Sequence, residues 1–374
     1  MKKIKLLMLA DLRSTHTKKW ADVLSKSGLE VHLFGFTKAF EKFENVVVHE
    51  GKVEMKTASR SEGSLEKWRY ILELKRLKNV IKTIEPDILH AHYASSYGLV
   101  GALSGWHPLV VSVWGKDVFS FPNHSVVHKK FFELSLKKAD SIFSTSQFMA
   151  EETKKYTNKK IIITPFGVDL TKFHPVENEN PDILRIGILK GVSPKYGQEY
   201  LIRAFAEVCS DLPEKKLELV VCGDGVDLEK MKQLAGELGI TKKVQFIGYV
   251  MNEKVHEIHK TLDIEVYPST DDSETFGVSA VESMACGNPV IASRVGGLQY
   301  LFEDGVAGFL VPAKEVAPIT VKLKELILDS TLLKKMSIAA RKTAEEEYDI
   351  NKNADVMIEE YKRLISKKNG QPSN

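Results

Sequence analysis

The chain has 374 residues, which exceeds the size at which one hydrophobic core usually stops growing, so its length favours two domains. Apolar residues make up 43% of the chain and charged residues 28%, as in a soluble globular protein, and no apolar run approaches the roughly 20 residues of a spanning helix. The N-terminal apolar run ends in Asp11 and Arg13, which favours a first buried strand over a signal peptide. Three distant cysteines in apolar surroundings indicate a reducing cytoplasm and argue against disulfides or a zinc site.

The positive charge is concentrated in the first half of the chain. Residues 1–175 hold 28 Lys and Arg against 18 Asp and Glu, whereas the remainder holds 25 against 32, so the first half is expected to face something anionic. Two basic and apolar segments, Lys67–Lys82 and His128–Lys138, are typical of amphipathic helices packed on a sheet. Together they also support a hypothesis of docking on an anionic membrane surface. Nucleic acid is not expected, because the chain has neither a recognition-helix signature nor an aromatic and basic RNA platform.

In chain order, short β-branched runs alternate with helical patterns. The strands predicted in the first half are Ile4–Ala10, Glu30–Phe36, Val46–Glu50, Asp87–Tyr93, Leu109–Trp114, Ser141–Thr145 and Lys160–Pro165. The helices predicted between them are Thr17–Ser27, Leu65–Ile84, Val126–Ala139 and Gln147–Tyr156. The polar segment Val176–Asp182 is predicted to be the linker between the domains.

The second half repeats this alternation. Its predicted strands are Leu184–Leu189, Leu217–Cys222, Val244–Gly248, Ile264–Pro268 and Val290–Ser293, and a helical end runs from Ala317 to about Ser366 before a polar tail. Alternating strands and helices predict an α/β protein with two doubly wound parallel sheets of Rossmann type. The predicted domains are 1–175 and 183–348, and a C-terminal helix within 349–374 could pack back on the first domain. Since such sheets bind ligands beyond the carboxyl ends of their strands, the site is expected in the cleft between the domains.

The most informative segment is Asp271–Gly287, DDSETFGVSAVESMACG. Phe276 and Gly277 predict a turn that opens a helix, so Glu274 lies just before this helix and Glu282 lies more than a turn inside it. The N–H groups at the start of the helix form a site for phosphate. Two carboxylates beside an anion site suit the hydroxyl groups of a nucleotide-activated sugar. The alternative is that one carboxylate complements the helix dipole and the other is solvated.

Other polar or Gly-rich loops follow predicted strands in the second half. Lys190 and Lys195 could bind a diphosphate as point charges, although a solvated loop lysine is the alternative for each. The turn Gly223-Asp224-Gly225 allows close backbone approach to a ligand, or is simply tight. Gly296-Gly297 again precedes a helix.

The first half gives fewer signals. The loop after its first predicted strand contains His16, and this position beyond a strand end favours a contact with substrate over a role in starting the helix. The loop has no G-x-G-x-x-G sequence, the fingerprint of dinucleotide binding. His90 and His92 alternate along a strand with no third ligand at metal spacing, so they are predicted to be core or cleft-edge residues. Asp117 follows Trp114 at the end of another strand and is a candidate hydrogen-bond acceptor or base.

Taken together, several of these motifs resemble the retaining glycosyltransferases of the GT-B fold, and glycosyltransferase family 4 in particular. The resemblance is dense in the second half and loose in the first, where it rests on the domain pattern and on the stretches around Thr15–Trp20, His90–Tyr93 and Trp114–Asp117. The motifs that carry it are Lys195-Tyr196-Gly197, Gly223-Asp224-Gly225, Pro268-Ser269, Glu274-Thr275-Phe276-Gly277, Glu282 and Pro289 through Gly297.

The resemblance implies that Glu274 contacts the donor sugar, that Glu282 holds the ribose, and that two lysines and the helix N-terminus bind the diphosphate. It implies that lysines and a helix N-terminus rather than a metal ion meet the leaving-group charge, with no cofactor, consistent with the lack of an Asp-x-Asp motif. The predicted catalytic residues are Glu274, from the resemblance, and Asp117 and His16, from their positions after strands. The acceptor would bind the first domain. The donor-binding residues implied are Lys190, Lys195, Gly223, Asp224, Phe276, Gly277, Val278 and Glu282.

Three positions depart from the family pattern. Arg13-Ser14-Thr15-His16 stands where many relatives have Gly-Gly, and Trp114 stands near the position of a catalytic histidine. The roles of Asp117 and His16 are therefore not fixed by the resemblance. Lys190 replaces a common arginine, which keeps the charge and loses the bidentate phosphate contact.

The sequence thus predicts a cytoplasmic, metal-independent hexosyltransferase that uses a UDP-sugar or similar donor. The expected acceptor is a glycan or lipid-linked intermediate of the cell envelope, with peripheral contact at the inner membrane face. The alternatives are a UDP-sugar epimerase of the same fold and a non-catalytic subunit that binds nucleotide sugars.

Overall fold

The computed structural model describes residues 3–53, 70–177 and 182–370 of the chain. It divides into two compact units. Unit 1 comprises residues 1–166 and 350–374, and unit 2 comprises residues 167–349. The division thus falls upstream of the predicted domain limit at 175, and the predicted linker lies partly outside the described residues.

Unit 1 is built on a parallel sheet whose seven strands follow the order β3-β2-β1-β4-β5-β6-β7. Leu7 in the central strand pairs with His32 on one side and with Leu89 on the other. All seven lie within predicted strands and are shorter than predicted. Their bounds are β1 Lys5–Leu9, β2 Glu30–Phe34, β3 Val47–His49, β4 Ile88–His92, β5 Leu109–Val113, β6 Ser141–Ser144 and β7 Ile161–Ile163.

Among the described residues, six α-helices of unit 1 lie between these strands. They are α1 Thr15–Lys26, α2 Leu74–Ile84, α3 Tyr97–Ser104, α4 Lys116–Phe119, α5 Val126–Lys138 and α6 Gln147–Thr153. The predicted helix Leu65–Ile84 begins later, because a 3₁₀ turn occupies residues 70–73, and residues 65–69 lie outside the described residues. Helix α3 was not predicted: it is buried over most of its length and therefore lacks an amphipathic period. Helix α4 is a single turn of four residues.

The C-terminal helix, Ile350–Lys368, packs within unit 1 although it is distant in sequence. Its Met357 and Tyr361 are buried against Trp20 and Leu24 of α1. Alternate residues of β1 point to opposite faces of the sheet, so this helix covers one face and the other face holds a second core. The helix therefore completes the hydrophobic core of unit 1.

Unit 2 contains a second parallel sheet, with the order β10-β9-β8-β11-β12-β13. Four of its strands have the predicted bounds, because each is an apolar, β-branched run between turn residues. The edge strand β13 was not predicted. The strands are β8 Leu184–Leu189, β9 Leu217–Cys222, β10 Val244–Gly248, β11 Ile264–Tyr267, β12 Val290–Ser293 and β13 Gly308–Val311.

The helices of unit 2 are α7 Gln198–Asp211, α8 Leu228–Glu237, α9 Val255–His259, α10 Val278–Ala285, α11 Val316–Leu328 and α12 Ser330–Glu347. The predicted helical end, Ala317 to about Ser366, is divided by short breaks into α11, α12 and the C-terminal helix. The first break is at Asp329, whose carboxylate caps α12 by accepting the N–H groups of Thr331 and Leu332.

The strand order reverses once in each sheet. In unit 1 this topological switch point lies between β1 and β4, and in unit 2 it lies between β8 and β11. Loops that follow the carboxyl ends of such strands are the usual ligand sites of doubly wound sheets. Among the described residues, no helix has the length and apolar character needed to cross a membrane.

Candidate functional site

At the switch point of unit 2, a lysine and a glutamate form an ion pair. Lys190 follows β8, Glu274 lies in the loop after β11, and Lys190 Nζ is 2.5 Å from Glu274 Oε2. Only 16% and 13% of the two side chains are exposed. The two residues predicted to bind phosphate and sugar are therefore in direct contact.

A tyrosine ring brings a second lysine close to this pair. The ring of Tyr196 lies 5.0 Å from Lys190 Nζ and 4.4 Å from Lys195 Nζ, distances at which a cation is attracted to the ring face. Thr270 N–H donates to Lys195 O at 2.9 Å, which ties the loop after β8 to the loop after β11. The loops at the switch point of unit 2 thus carry two lysines together with the carboxylates of Glu274, Asp271 and Asp272.

The predicted glycine turns brace these loops from both sides. Gly223 has φ +142°, and a Cβ there would lie 2.0 Å from Lys190 O, so only glycine fits against the lysine loop. Gly296 has φ +48°, and a Cβ there would lie 2.2 Å from Glu274 O. The neighbouring Gly297 N–H donates to Glu274 O at 2.7 Å. The backbone positions of both Lys190 and Glu274 are therefore fixed by glycines in adjacent loops.

Helix α10 begins at Val278, directly after Gly277. Gly277 O accepts the N–H groups of Ala280 and Val281 at 3.0 and 3.2 Å. The N–H groups of residues 277–279 have no acceptor within the helix, and such groups at a helix start favour an anion. Phe276 is buried against the ring of Tyr348 and anchors the turn. Asp224 is exposed and its carboxylate accepts from Gly225 N, as in a tight turn.

Glu282 is buried rather than solvated, with only 8% of the residue exposed. Its Oε2 lies 3.7 Å from Nε2 of His259, which is fully buried at the end of α9. His259 Nδ1 in turn lies 2.8 Å from Glu265 Oε1 in β11. Sequence reasoning missed both His259 and Glu265. The signal that could have found them is a glutamate inside the apolar strand Ile264–Tyr267.

The surroundings of His259 determine its charge. Burial by itself would lower the pKa of His259, but the charges of Glu265 and Glu282 raise it to about 9. Glu265 also accepts hydrogen bonds from Tyr267 Oη at 2.6 Å and from Asn288 Nδ2 at 3.0 Å. The imidazole is therefore a cation at neutral pH, held between two carboxylates.

Several aromatic rings meet at the switch point of unit 1. His16 stacks on Phe166 with ring centroids 3.9 Å apart and an angle of 17° between the planes. Trp114 meets Phe166 edge-on at 5.2 Å and His92 at 4.8 Å. The loops after β1, β4 and β5 thus converge on one aromatic cluster, which contains the predicted His16.

The two histidines of β4 have different partners. His90 is a core residue, with Nδ1 2.6 Å from Tyr361 Oη and Nε2 2.7 Å from Ser112 Oγ. His92 is only 1% exposed, and its ring nitrogens have no hydrogen-bond partner among the described residues. Burial lowers the pKa of His92 to about 3, so the ring is neutral.

Asp117 is fully buried, and its carboxylate accepts several backbone N–H groups. Ala94 N donates at 2.9 Å, Gly115 N at 2.8 Å and Trp114 N at 3.1 Å. The side chain therefore links the loop after β4 to the loop after β5, a positioning contact. Its predicted role as an acceptor or base stays a prediction. In the described part of the chain, no group of three or more His, Cys, Asp or Glu is arranged to hold a metal ion.

Two family models match the chain, each within one unit. Residues 5–146 match the model described as glycosyl transferase 4-like, and residues 170–343 match the model described as glycosyl transferases group 1. The second match contains Lys190, Glu274 and Glu282. The first contains the aromatic cluster residues His16, His92 and Trp114.

Similar proteins carry related names. A D-inositol 3-phosphate glycosyltransferase of Corynebacterium jeikeium is 31% identical over 51% of this chain and 49% of that protein, so the chain spans about half the length of this relative. An uncharacterised glycosyltransferase of Methanocaldococcus jannaschii is 26% identical over 82% of each chain. The crystal structure of Anabaena HepE in complex with UDP has a TM-score of 0.78 with 19% identity, over 97% of this chain and 100% of that one. With two parallel Rossmann-like sheets and a family match in each unit, the chain belongs to the GT-B glycosyltransferases of the family 4 type.

Proposed function

We propose that this protein is a retaining, metal-independent glycosyltransferase that moves a hexose from a nucleotide sugar of the UDP-sugar class to a glycan or lipid-linked acceptor of the cell envelope. The observation that carries the proposal is the Lys190–Glu274 pair at the switch point of unit 2, beside the N-terminus of α10. The donor class is supported by HepE of Anabaena, whose structures contain UDP and UDP-glucose.

The donor diphosphate binds where the positive charges converge. Lys190 exchanges Glu274 for a phosphate oxygen, Lys195 approaches across the Tyr196 ring, and the N–H groups of residues 277–279 add the positive end of a helix. As the sugar leaves, charge develops on the nucleoside diphosphate. Preorganised cations and N–H groups stabilise that charge without a metal ion.

Glu274 and Glu282 then bind different hydroxyl groups of the donor, those of the sugar and those of the ribose. Once Lys190 turns to phosphate, the Glu274 carboxylate is available to accept hydrogen bonds from sugar hydroxyls. Glu282, inside α10 and 8% exposed, accepts from the ribose hydroxyls.

The acceptor is assigned to unit 1. Trp114 and His16 are partly exposed at the aromatic cluster, and aromatic faces pack well against the apolar faces of sugar rings. His16 contacts the acceptor in this proposal. Asp117 positions the two loops that carry the cluster through its backbone hydrogen bonds.

We also propose peripheral contact with an anionic membrane on the cytoplasmic side, through α5. Val126 and Val127 at its start are 70% and 56% exposed, Phe131 is 38% exposed, and four lysines share the helix. Lysines and exposed apolar side chains together favour anionic lipid surfaces. Recovery in vesicle cosedimentation should be greater with anionic than with neutral lipid, and Val126→Ser with Lys129→Glu should reduce it. Equal recovery with both lipids would remove this part of the proposal.

The transferase assignment is tested with a panel of radiolabelled nucleotide sugars, each incubated with protein alone and with membrane extract. Label is expected to move to an extract component from one donor, while the donor incubated with protein alone keeps its sugar unchanged. A changed sugar without extract would indicate an epimerase. Donor binding without any transfer would indicate a non-catalytic subunit.

A further inference from the structure

A fully buried imidazole lies directly behind Glu282 in unit 2. His259, at the end of α9, has both ring nitrogens turned to carboxylates: Nδ1 is 2.8 Å from Glu265 Oε1, and Nε2 is 3.7 Å from Glu282 Oε2. Neither His259 nor Glu265 is exposed, and neither reaches solvent or ligand directly. The three side chains come from α9, β11 and α10 and form a line from the core of the unit to the donor site.

The inner end of this line is held rigidly. Glu265 accepts hydrogen bonds from Tyr267 Oη at 2.6 Å and from Asn288 Nδ2 at 3.0 Å. Asn288 Nδ2 also donates to His259 O at 2.7 Å. The side-chain amide of Asn288 therefore bonds both the backbone of His259 and the carboxylate of Glu265. The orientation of the imidazole is therefore set from the core side, independently of any ligand.

We infer that His259 is a positioning residue for nucleotide recognition: it holds the carboxylate of Glu282 ionised and aimed so that Glu282 can accept hydrogen bonds from the ribose of a nucleoside diphosphate. This inference rests on the proposed function of Glu282. A carboxylate offers about four acceptor positions, so contact with His259 is compatible with hydrogen bonds from ribose hydroxyls. In this arrangement the buried acid Glu265 orients the imidazole of His259, and the imidazole then acts on a third group, Glu282.

The positive charge of the His259 imidazole favours the ionised form of Glu282. Glu282 is 8% exposed, and a carboxylate at such a position without a cationic partner tends to take up a proton or turn towards water. A protonated carboxyl loses acceptor capacity at one oxygen. His259 offsets the charge of Glu282 while Glu265 offsets that of His259, which leaves Glu282 ionised towards the donor.

The test compares UDP with 2′-deoxy-UDP and 3′-deoxy-UDP by titration calorimetry at neutral pH. If Glu282 binds the ribose, wild-type protein should prefer UDP to at least one deoxy analogue by about tenfold or more, as expected for a hydrogen bond to a charged group. Glu282→Gln and His259→Asn should each reduce that preference to about twofold or less, while affinity for the deoxy analogue changes little. His256→Asn, the same substitution on the same helix, is the matched control and should keep the wild-type preference.

The outcomes separate the two ideas. If wild-type protein shows no preference for the ribose hydroxyls, or if Glu282→Gln keeps it, the role proposed for Glu282 fails. If both behave as expected and His259→Asn retains the preference, or weakens all three nucleotides equally, the positioning role of His259 is overturned. Glu265→Gln, which keeps the shape of the side chain, serves where His259→Asn does not fold: it should also reduce the preference, and an unchanged preference would overturn the inference.

Discussion

The two switch points of this molecule share a strand order and differ in chemistry. In unit 1 the rings of His16, His92 and Trp114 meet at the ends of β1, β4 and β5, and the charges of Arg13 and Asp11 after β1 form an ion pair. In unit 2 the loops after β8 and β11 present Lys190, Lys195 and Glu274 around a helix N-terminus. The two sheets therefore share a topology, while the side chains at their strand ends differ. In the proposed function the donor diphosphate binds unit 2 and the acceptor binds unit 1.

Buried histidines show the same contrast in their charge. His92 is 1% exposed and His259 is fully buried, so burial is nearly equal. Burial lowers the pKa of His92 to about 3, whereas the carboxylates of Glu265 and Glu282 outweigh burial and raise the pKa of His259 to about 9. Partners rather than burial decide the protonation state of each imidazole.

The largest effect is expected at Glu274. Glu274→Ala should lower the rate of sugar transfer about 100-fold or more, because it removes an acceptor at the reacting sugar. UDP affinity should change only a few-fold, since the diphosphate contacts remain. Glu303→Ala, at an exposed glutamate of the same unit, is the control for activity and should leave transfer unchanged. Transfer by Glu274→Ala at the wild-type rate would contradict the assignment of this carboxylate.

The contrast between the switch points predicts an asymmetry in UDP binding. Lys190→Met should weaken UDP about tenfold to 100-fold, because a charge-assisted hydrogen bond to phosphate is lost. Arg13→Met, at the ion pair with Asp11 after β1 of unit 1, should leave UDP affinity within about twofold. Calorimetry on both variants measures this difference. Equal losses of UDP affinity in the two variants would contradict the proposed difference between the two switch points.

The stability of unit 2 should depend on alkaline pH. Because the pKa of folded His259 is raised to about 9 from an ordinary 6.5, its stabilising contribution is complete below pH 6.5 and is lost as pH rises through about 9. The shift corresponds to about 3 kcal/mol of the free energy of unfolding. Urea unfolding at pH 7 and pH 9.5 should show this loss in wild-type protein and a smaller loss in His259→Asn. An identical alkaline loss in both proteins would argue against a charged His259.

His92 should give a smaller effect of opposite direction over the accessible pH range. Its folded pKa is lowered, so its contribution is complete above pH 6.5 and is lost as pH falls towards 3. By pH 5 the loss should reach about 2 kcal/mol. His92→Gln, compared with wild-type protein by urea unfolding at pH 7 and pH 5, should show a weaker dependence on acid. An equal dependence would show that His92 does not stay neutral.

Much of the fold and the donor site follows from the sequence. Strands such as Leu217–Cys222 are apolar and bounded by turn residues, so their limits are local properties. Lys190 and Glu274 were predicted because each follows a strand, and the strand order brings them into contact. Helix α3 and the break at Asp329 were missed, because full burial hides the helical period and a cap can interrupt a continuous helical pattern.

The network behind Glu282 could not be predicted in the same way. His259 and Glu265 meet Glu282 through the packing of α9, β11 and α10, and no short spacing in the sequence records that contact. The hydrogen bond between Tyr361 Oη and His90 Nδ1 is a second case. The sequence suggested that a C-terminal helix packs on the first domain, but it did not indicate which residues meet across the 271 positions between them. In both cases the contact depends on tertiary packing rather than on a local pattern.

The most direct test of the donor assignment is a crystal structure of the protein with UDP. The account predicts a diphosphate oxygen within about 3.2 Å of Lys190 Nζ and of the N–H groups at the start of α10. It also predicts an opened Lys190–Glu274 pair and Glu282 at the ribose hydroxyls. UDP bound at the aromatic cluster of unit 1, or bound in unit 2 with the Lys190–Glu274 pair intact, would contradict it.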